Sequence, residues 1–213
     1  MLGARRVLCV VGHPDDETLG CGGTLARAAG EGAEVRVFLP MVRTDPRGVA
    51  HWGSLVSQLH EAARCLGGEA VMPEQPMTED ECEQTNRLHG LVLPHVEWSD
   101  LVLTHSPSDV HQVHRAVSRA VEIATRPFRR RRTVAHFEVP TSTDQSYHYG
   151  FSPNIWVTLE ESHVACKLAA MARYQTEHAP GRTPDDLRQT LRTRGRQIGV
   201  AHAEAFALAR HFV

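Results

Sequence analysis

The 213-residue chain lacks the features that would place it in a membrane, on a nucleic acid or in a disulfide-bonded secreted protein. No apolar run approaches the roughly 20 residues that cross a bilayer. The net charge is −2 with 14 neutral histidines, so nothing attracts the chain to nucleic acid or to a membrane surface. Its five cysteines are scattered and form no CxxC pair. With no signal peptide before the first strand, these absences predict a cytoplasmic protein.

Two common catalytic patterns are also missing. No serine stands in a GxSxG elbow, so a serine hydrolase is not expected. The glycine-rich stretch 20–23 lacks the GxGxxG spacing of a dinucleotide site. We expect these small residues, and Cys21 among them, to let a helix lie close to a sheet.

The composition, 41% hydrophobic and 23% charged, is that of an ordinary globular domain. Apolar runs alternate with helical patterns, which predicts an α/β fold, a Rossmann-like three-layer sandwich with a mostly parallel sheet, as a single domain over residues 1–213. The predicted strands are 5–11, 34–39, 70–72, 101–104, 133–137 and 154–159. The predicted helices are 18–31, 55–66, 84–95, 109–125 and 162–176, with a further amphipathic packing helix around 203–210.

A histidine and three carboxylates follow the first predicted strand. After Gly12, the stretch 13–17 reads His-Pro-Asp-Asp-Glu and leads into a helix. Pro14 fixes its own φ and pushes His13 towards extended geometry. One aspartate at a helix start is explained by capping or by the helix dipole, but two beside a histidine favour a divalent metal site. Such a site needs a further ligand from elsewhere in the chain.

A second strand-to-helix corner carries three histidines. Strand 101–104 is followed by His105, His111 and His114, and His114 lies on an apolar stripe with 3.6-residue spacing. A lone histidine on such a stripe is more often a hydrogen-bonded core residue. The carboxyl ends of parallel strands open on one edge of a sheet, so the two corners should meet there. The sequence therefore predicts a shared metal site.

These two motifs resemble the signature of the LmbE/PIG-L family of zinc-dependent N-deacetylases. Residues 12–17 match the family's (A/G/P)HPDDE, and residues 104–114 are close to its THxxxDxHxDH, in the same order and at a similar separation. The similarity continues through 137–143, 151–154 and 199–206, and so covers nearly the whole chain. The later segments are most similar to the short bacterial branch, which includes deacetylases of bacillithiol biosynthesis and of related N-acetylglucosaminyl or chitobiose substrates.

The resemblance implies an enzyme that removes an N-acetyl group from an amino sugar or a related small glycoside. It implies that Zn²⁺, or another divalent metal, is held by His13, Asp16 and His114, which leaves a position open for catalysis. Asp15 would be the general base for the attacking water, and His111 would share the tetrahedral oxyanion. Either residue would protonate the departing amine. The resemblance also implies a homo-oligomer, possibly a hexamer.

Two positions depart from the family pattern. Gln58 stands where the family often has an arginine that contacts substrate, and Val113 replaces the aspartate of HxDH. The family aspartate would support an imidazolium form of His111, which Val113 cannot do. Asp109 is expected to be occupied as a helix N-cap. We therefore predict a low pKa for His111 and a basic limb of the rate profile at lower pH than in relatives that keep the aspartate.

Two other functions remain open. One is an amidase of the same family that cleaves a thiol-sugar conjugate instead of releasing acetate. The other is a catalytically silent protein that keeps its zinc as a binding or scaffold module. A panel of acetylated sugars against thiol conjugates separates the amidase from a deacetylase, and turnover with added Zn²⁺ separates a silent protein from an enzyme.

Several segments have expected places around the site. Segments 41–53 and 145–153 should be loops that line the cleft, and the acidic stretch 74–83 should be a loop that runs into a helix. These cleft loops contain His51, Trp52, Tyr147, His148 and Tyr149. Glu138 has two equally favoured interpretations, as a hydrogen-bond acceptor behind the site or as a surface carboxylate. The arginine run 126–132 is expected to be a solvated helix end.

Overall fold

The computed structural model describes residues 3–147 and 150–212. The strands are β1 (Arg6–Val10), β2 (Glu34–Phe38), β3 (Met41–Val42), β4 (Glu69–Val71), β5 (Met77–Thr78), β6 (Leu101–His105), β7 (Thr133–Phe137), β8 (Ile155–Thr158) and β9 (Ala203–Arg210). The helices are α1 (Asp16–Gly30), α2 (Pro46–Cys65), α3 (Thr85–Trp98), α4 (Gln112–Ala124), α5 (Glu161–Met171) and α6 (Pro184–Arg196). Short 3₁₀ turns cover Glu79–Glu81, Thr143–Gln145 and Gln175–Glu177.

Seven of the strands form one sheet, in the order β4-β2-β1-β6-β7-β9-β8. The first five are parallel, and β9 runs antiparallel to both of its neighbours. One apolar cluster joins the sheet to α1, α2, α5 and α6, and a second joins its other face to α3 and α4. The predicted three-layer α/β sandwich with a mostly parallel sheet is confirmed.

The sheet reverses its winding direction beside β1. The chain passes from β1 through α1 to β2 on one side, and later returns to the other side of β1 as β6. Ligands of doubly wound sheets bind in the crevice at the carboxyl ends of the strands, where the winding reverses. Residues 13–17 follow β1 and residues 106–114 follow β6, so both corners border that crevice.

The glycine-rich start of α1 packs closely against its neighbours, as predicted. A Cβ atom at Gly20 would collide with the ring of Phe137, and one at Gly23 would collide with Leu159. Cys21 is buried with its sulfur 3.5 Å from that of Cys9, and both are free thiols. The stretch therefore serves helix–sheet packing.

The prediction of a packing helix at 203–210 is wrong, because this segment is the strand β9. Its alanines and Glu204 favour a helix in isolation, but the gap between β7 and β8 offers backbone partners on both sides. Phe206 pairs with Phe137 on one side and with Ile155 on the other. Long-range sheet pairing thus overrides local propensity.

Segment 41–53 is also more ordered than the predicted loop. It contains β3 and the first two turns of α2, which begins after Asp45 accepts a hydrogen bond from the Gly48 N–H at 3.0 Å. Helix α2 therefore starts nine residues earlier than the apolar pattern indicated. Within the described residues, no helix has the length and apolar character needed to cross a membrane.

Candidate metal centre

Gly12 allows the two corners to come together. Its N–H donates to His105 Nε2 at 2.9 Å. A Cβ atom on Gly12 would lie 3.0 Å from Val113 Cγ1 and 3.1 Å from His114 Cδ2. These distances are tighter than ordinary carbon contacts, so a small residue before His13 lets α4 approach the end of β1.

Three potential ligand atoms from the two corners lie close enough to share one ion. His13 Nδ1 is 3.0 Å from His114 Nε2, and Asp16 Oδ2 is 3.3 Å from each of these nitrogens. Tetrahedral ligands about 2.1 Å from a zinc ion lie roughly 3.4 Å from one another, so the spacing fits. All three residues are less than 9% exposed. The two corners therefore form a buried His–Asp–His group that can hold a metal ion.

The second ring nitrogen of each histidine in the group faces a carboxylate. His13 Nε2 lies 2.9 Å from Glu79 Oε1, and His114 Nδ1 lies 3.2 Å from Asp109 Oδ1. A ring N–H that donates to a carboxylate leaves the lone pair of the other nitrogen free for a metal. Sequence analysis missed Glu79, because no local pattern links the acidic stretch to His13; it arrives there on the turn after β5.

The charges around the group favour a cation. Burial opposes ionisation of Asp16, yet His114 and His105 hold its pKa well below the ordinary value. Burial likewise disfavours protonation of His114, but Asp16 and Asp109 raise its pKa to about 10. With a pKa of about 10, His114 is expected to carry a second ring proton at neutral pH when no metal ion is bound. Metal binding must displace that proton, which makes metal affinity dependent on pH.

His105 is less suited to be a ligand. Its Nε2 already accepts the Gly12 N–H, and its ring stacks on His114 with centroids 3.9 Å apart. Burial, together with the neighbouring His114, lowers the pKa of His105 to about 4. A neutral His105 thus supports His114 from the side away from the cleft.

His111 faces the cleft beside the group, with its ring centroid 4.6 Å from that of His13. It is the N-cap of α4, and its Nδ1 accepts the Val113 N–H at 3.3 Å. Burial, followed by His13 and His114, lowers the pKa of His111 to about 4, which agrees with the predicted direction. With Nδ1 occupied as an acceptor, neutral His111 carries its proton on Nε2. His13, His111 and His114 form an alternative donor set, but that set lacks a carboxylate.

Asp109 is not the N-cap of α4, so that prediction is wrong. Its carboxylate instead accepts hydrogen bonds from Ser142 Oγ and Thr143 Oγ1, each at 2.6 Å, and from the His111 N–H at 2.8 Å. Burial opposes ionisation, but His114 and these hydroxyls hold the pKa of Asp109 well below its ordinary value. Two hydroxyls that follow β7 thus direct Asp109 to the ring of His114.

Asp15 has an uncommon backbone conformation, and its carboxylate does not cap the helix that follows. Its φ is 100°, it is 1% exposed, and its side chain makes no capping hydrogen bond to α1. A non-glycine residue in this conformation costs about 1–3 kcal/mol. Burial, with Asp16 beside it, raises the pKa of Asp15 well above the ordinary value, while Arg182 opposes the rise. The capping explanation therefore does not apply to Asp15.

Val113 and Gln58, the two departures from the family pattern, lie away from the cleft. Val113 is 1% exposed in the apolar cluster under α4, as predicted. Gln58 lies outside the lining of the cleft.

Glu138 forms a two-pronged ion pair with Arg194, at 2.7 and 2.6 Å, and belongs to a neighbouring cavity. In the arginine run, Arg130 pairs with Glu97 on the surface.

The cleft above the group has a volume of about 340 Å³ and an arginine-lined rim. Arg43 and Arg47 each place a guanidinium nitrogen 3.1 Å from Glu177 Oε2. Both come from segment 41–53, which was predicted to line the cleft. Of segment 145–153, the described residues do not contribute to the lining, and His148 and Tyr149 lie outside the described residues. Two further rim residues come from later in the chain: Thr141 follows β7, and Arg182 precedes α6.

Comparison with known proteins gives a family and a fold. The family model described as GlcNAc-PI de-N-acetylase, PIG-L, matches residues 8–125. The 1D-myo-inositol 2-acetamido-2-deoxy-alpha-D-glucopyranoside deacetylase of Rhodococcus erythropolis is 28% identical over 256 aligned positions, which cover 98% of this chain and 80% of that protein. Matches to deacetylases of the same name from Rhodococcus jostii, Rhodococcus opacus and Tsukamurella paurometabola cover only 11–21% of those proteins.

Two solved structures share the fold over almost the whole chain. The N,N'-diacetylchitobiose deacetylase of Pyrococcus horikoshii superposes with a TM-score of 0.73 and 21% identity, covering 97% of this chain and 84% of that one. GalB, the 4-carboxy-2-hydroxymuconate hydratase of Pseudomonas putida, superposes with a TM-score of 0.74 and 19% identity, covering 98% of each chain. Because a hydratase and a deacetylase both share this fold, the fold alone does not select the reaction.

Proposed function

The chain belongs to the PIG-L family of GlcNAc-PI de-N-acetylases, and from this premise we propose that it is a zinc-dependent hydrolase that removes an N-acetyl group from an amino sugar or a related small glycoside. The observation that carries the proposal is the buried group of His13, Asp16 and His114 next to Asp15. Its ligand atoms are 3.0–3.3 Å apart, and the Asp15 carboxylate makes no capping hydrogen bond to α1.

The residues present fit a divalent metal. His13 Nδ1, Asp16 Oδ2 and His114 Nε2 would hold the ion, and Glu79 and Asp109 would fix the tautomers of the two histidines. Nitrogen and carboxylate ligands of this kind suit Zn²⁺, although they do not exclude other divalent ions. When bound there, Zn²⁺ supplies Lewis acidity that polarises the acetyl carbonyl and acidifies the attacking water.

Asp15 would then carry the proton transfers, and His111 would stabilise the developing oxyanion. Asp15 accepts a proton from water as the water oxygen bonds to the acetyl carbon. The neutral His111 donates a hydrogen bond from Nε2 to the oxyanion that develops on the carbonyl oxygen. Collapse of this tetrahedral species breaks the carbon–nitrogen bond. Asp15 returns its proton to the departing amine, so acetate and a free amino sugar are the products.

The substrate class rests on the cleft and on the relatives. A volume of about 340 Å³ is at the small end of the range for small-molecule sites, which suits a small glycoside. Relatives are named as deacetylases of a glucosaminyl inositol and of chitobiose. Within this proposal the substrate is a small molecule, and nucleic acid and membranes are not partners.

Two further proposals come from the resemblance and the composition. We expect a homo-oligomer, as in the short bacterial branch, where hexamers are common. Light scattering that shows only a monomer at working concentration would reject this assembly. The scattered free thiols suit a cytoplasmic location.

A panel of amides tests the proposed reaction. The zinc-loaded protein is incubated with N-acetylglucosaminides of several aglycones and with thiol-sugar conjugates, and free acetate and free amine are both measured. We expect one acetate for each amine, from at least one N-acetylglucosaminide. Cleavage of the thiol conjugate without acetate release would favour the amidase. A zinc-loaded protein that cleaves no amide in the panel would favour a silent binding module.

A further inference from the structure

Two strained backbone positions meet at one side chain on the rim of the cleft. Asp15 and Thr141 are the non-glycine residues with positive φ among residues 3–147 and 150–212, with φ values of 100° and 65°. Arg182 binds both of them. Its Nε donates to Thr141 Oγ1 at 2.6 Å, and its Nη1 lies 3.5 Å from Asp15 Oδ2.

The start of α6 holds Arg182 in place. Gly181, with a φ of +86°, packs against the methyl group of Thr141, where a Cβ atom would come within 2.6 Å. The N–H groups of Gly181 and Thr183 donate to Asp186 Oδ2 at 3.0 and 3.1 Å. Because Asp186 and Thr183 also form the capping box of α6, the backbone on both sides of Arg182 is fixed.

The strain at these positions needs an explanation. A left-handed conformation is costly for an aspartate and more so for a β-branched threonine, and it persists only where the surroundings enforce it. Such positions concentrate at functional sites. Here one guanidinium contacts both, and its fixed fork of donors limits where the Asp15 carboxylate can turn.

We propose that Arg182 is a positioning residue, which holds the carboxylate of Asp15 towards the cleft and is itself anchored by Thr141. The inference rests on the proposed function, in which Asp15 accepts a proton from the attacking water and returns it to the departing amine. Arg182 acts through Asp15 and does not need to touch the metal. If Arg182 only packed against the rim, its substitution would change stability or substrate binding and leave kcat unchanged.

The kinetic test compares Arg182→Ala with Arg188→Ala. Arg188 also lies on the α6 side of the molecule, but it pairs with Glu161 away from the cleft. A displacement of about 1 Å can cost roughly 10²-fold in rate, so we expect kcat of Arg182→Ala to fall by about 10- to 100-fold. KM and zinc content should stay close to wild type, as should all parameters of Arg188→Ala.

Added guanidinium gives a readout that a purely structural role would not move. It should restore part of kcat in Arg182→Ala, and it should have no such effect on Asp15→Asn. An unchanged kcat in folded, zinc-loaded Arg182→Ala would overturn the proposal. So would a loss of zinc, since that would make Arg182 a support of the metal site.

Thr141 allows an isosteric comparison. Thr141→Val keeps the β-branched shape and its backbone strain but removes the hydroxyl acceptor, whereas Thr141→Ser keeps the hydroxyl. We expect Thr141→Val to lose more of kcat than Thr141→Ser. Equal losses would show that the hydrogen bond to Arg182 does not matter, which contradicts the anchor.

A cycle of melting temperatures tests the contact without any substrate. Arg182→Ala, Asp15→Asn and the double variant are compared with wild type. Residues in contact should give shifts that are not additive, because the second change removes a contact already lost. Additive shifts would overturn the contact between Arg182 and Asp15. If wild type turns over no amide, the proposed reaction fails, while this cycle still decides whether Arg182 holds Asp15 through a direct contact.

Discussion

The floor of the cleft and the part of its rim formed by Thr141 and Arg182 come from different parts of the chain and are built in different ways. The floor consists of His13, Asp16 and His114, which lie at two strand-to-helix corners within the family-matched residues 8–125. The rim includes Thr141 and Arg182, which lie beyond that range. The floor is placed by parallel strands that end side by side, while the rim is placed by contacts between segments distant in sequence. The chemistry is therefore expected to depend on the floor for metal and on the rim for orientation.

The largest effect on metal binding and activity is expected from a substitution in the floor. His114→Ala removes a proposed ligand and leaves Asp109 without its imidazole partner, so it should lose most bound metal and, with it, activity. His111→Ala is the matched control, because it removes a neighbouring imidazole that is not a ligand in this account. Elemental analysis of both purified proteins makes the comparison. Metal lost from His111→Ala but retained by His114→Ala would favour a different donor set.

The second effect separates proton transfer from metal binding. Asp15→Asn keeps the size of the side chain and removes its basicity. Loss of one general base typically costs about 10²–10⁴-fold in rate. We expect kcat to fall within that range at unchanged zinc content. Near wild-type turnover by a zinc-loaded Asp15→Asn would remove Asp15 from the mechanism.

Substitution of His111 should lower the rate less than Asp15→Asn does. The pH dependence of kcat/KM distinguishes a neutral His111 from an imidazolium. A pKa of about 4 means that the imidazolium gives up its proton as pH rises through about 4, so His111 is neutral from about pH 6 to 8. A nearby metal cation would lower this pKa further. We therefore expect kcat/KM to show no decline over that range from His111. The basic limb predicted from Val113 requires an imidazolium acid, so it is not expected where neutral His111 is the donor.

Substitutions at His111 provide the matched pair. His111→Gln keeps an N–H donor and should retain more activity than His111→Ala, which should lose roughly 10²–10³-fold, as when an oxyanion donor is removed. A decline of the wild-type profile near pH 6 to 7 that disappears in His111→Gln would instead identify an imidazolium acid.

The smallest effect concerns the carboxylate behind His13. Glu79→Gln should weaken metal binding by about 10–100-fold, because it weakens the hydrogen bond that fixes the His13 tautomer. Asp80→Asn, an exposed neighbour on the same 3₁₀ turn, is the control. Competition with a chelator measures both affinities. Equal affinities would assign Glu79 a role outside the metal site.

The floor of the cleft could be predicted from the sequence because the patterns that indicate its residues are local. A glycine after an apolar strand, a proline behind His13 and a histidine on an apolar helical stripe all lie within a few residues of the group that they place. The parallel order of the strands then brings the two corners together. For this reason the sheet, the crevice and a shared metal site could be predicted from the sequence alone. The choice of His13, Asp16 and His114 as ligands and the roles of Asp15 and His111 came from the family resemblance.

The part of the rim formed by Thr141 and Arg182, and the C-terminal strand, had no comparable signal. Segment 203–210 has the composition of a helix, and only the space between β7 and β8 makes it a strand. Arg182, Thr141 and Glu79 approach the site through turns whose positions depend on packing across the domain. Asp109 was assigned to the nearest helix end, whereas hydroxyls from a distant turn direct it to His114.

The most direct test of the account is a metal titration of the stripped protein with acetate release as the readout. Zinc is added in steps to a metal-free sample that has a responsive N-acetylglucosaminide present at saturation. The account predicts that acetate release rises in proportion to zinc and stops at about one ion per chain, as expected for one three-ligand site. Acetate release by the stripped protein at the full rate, or bound zinc without any acetate, would contradict it.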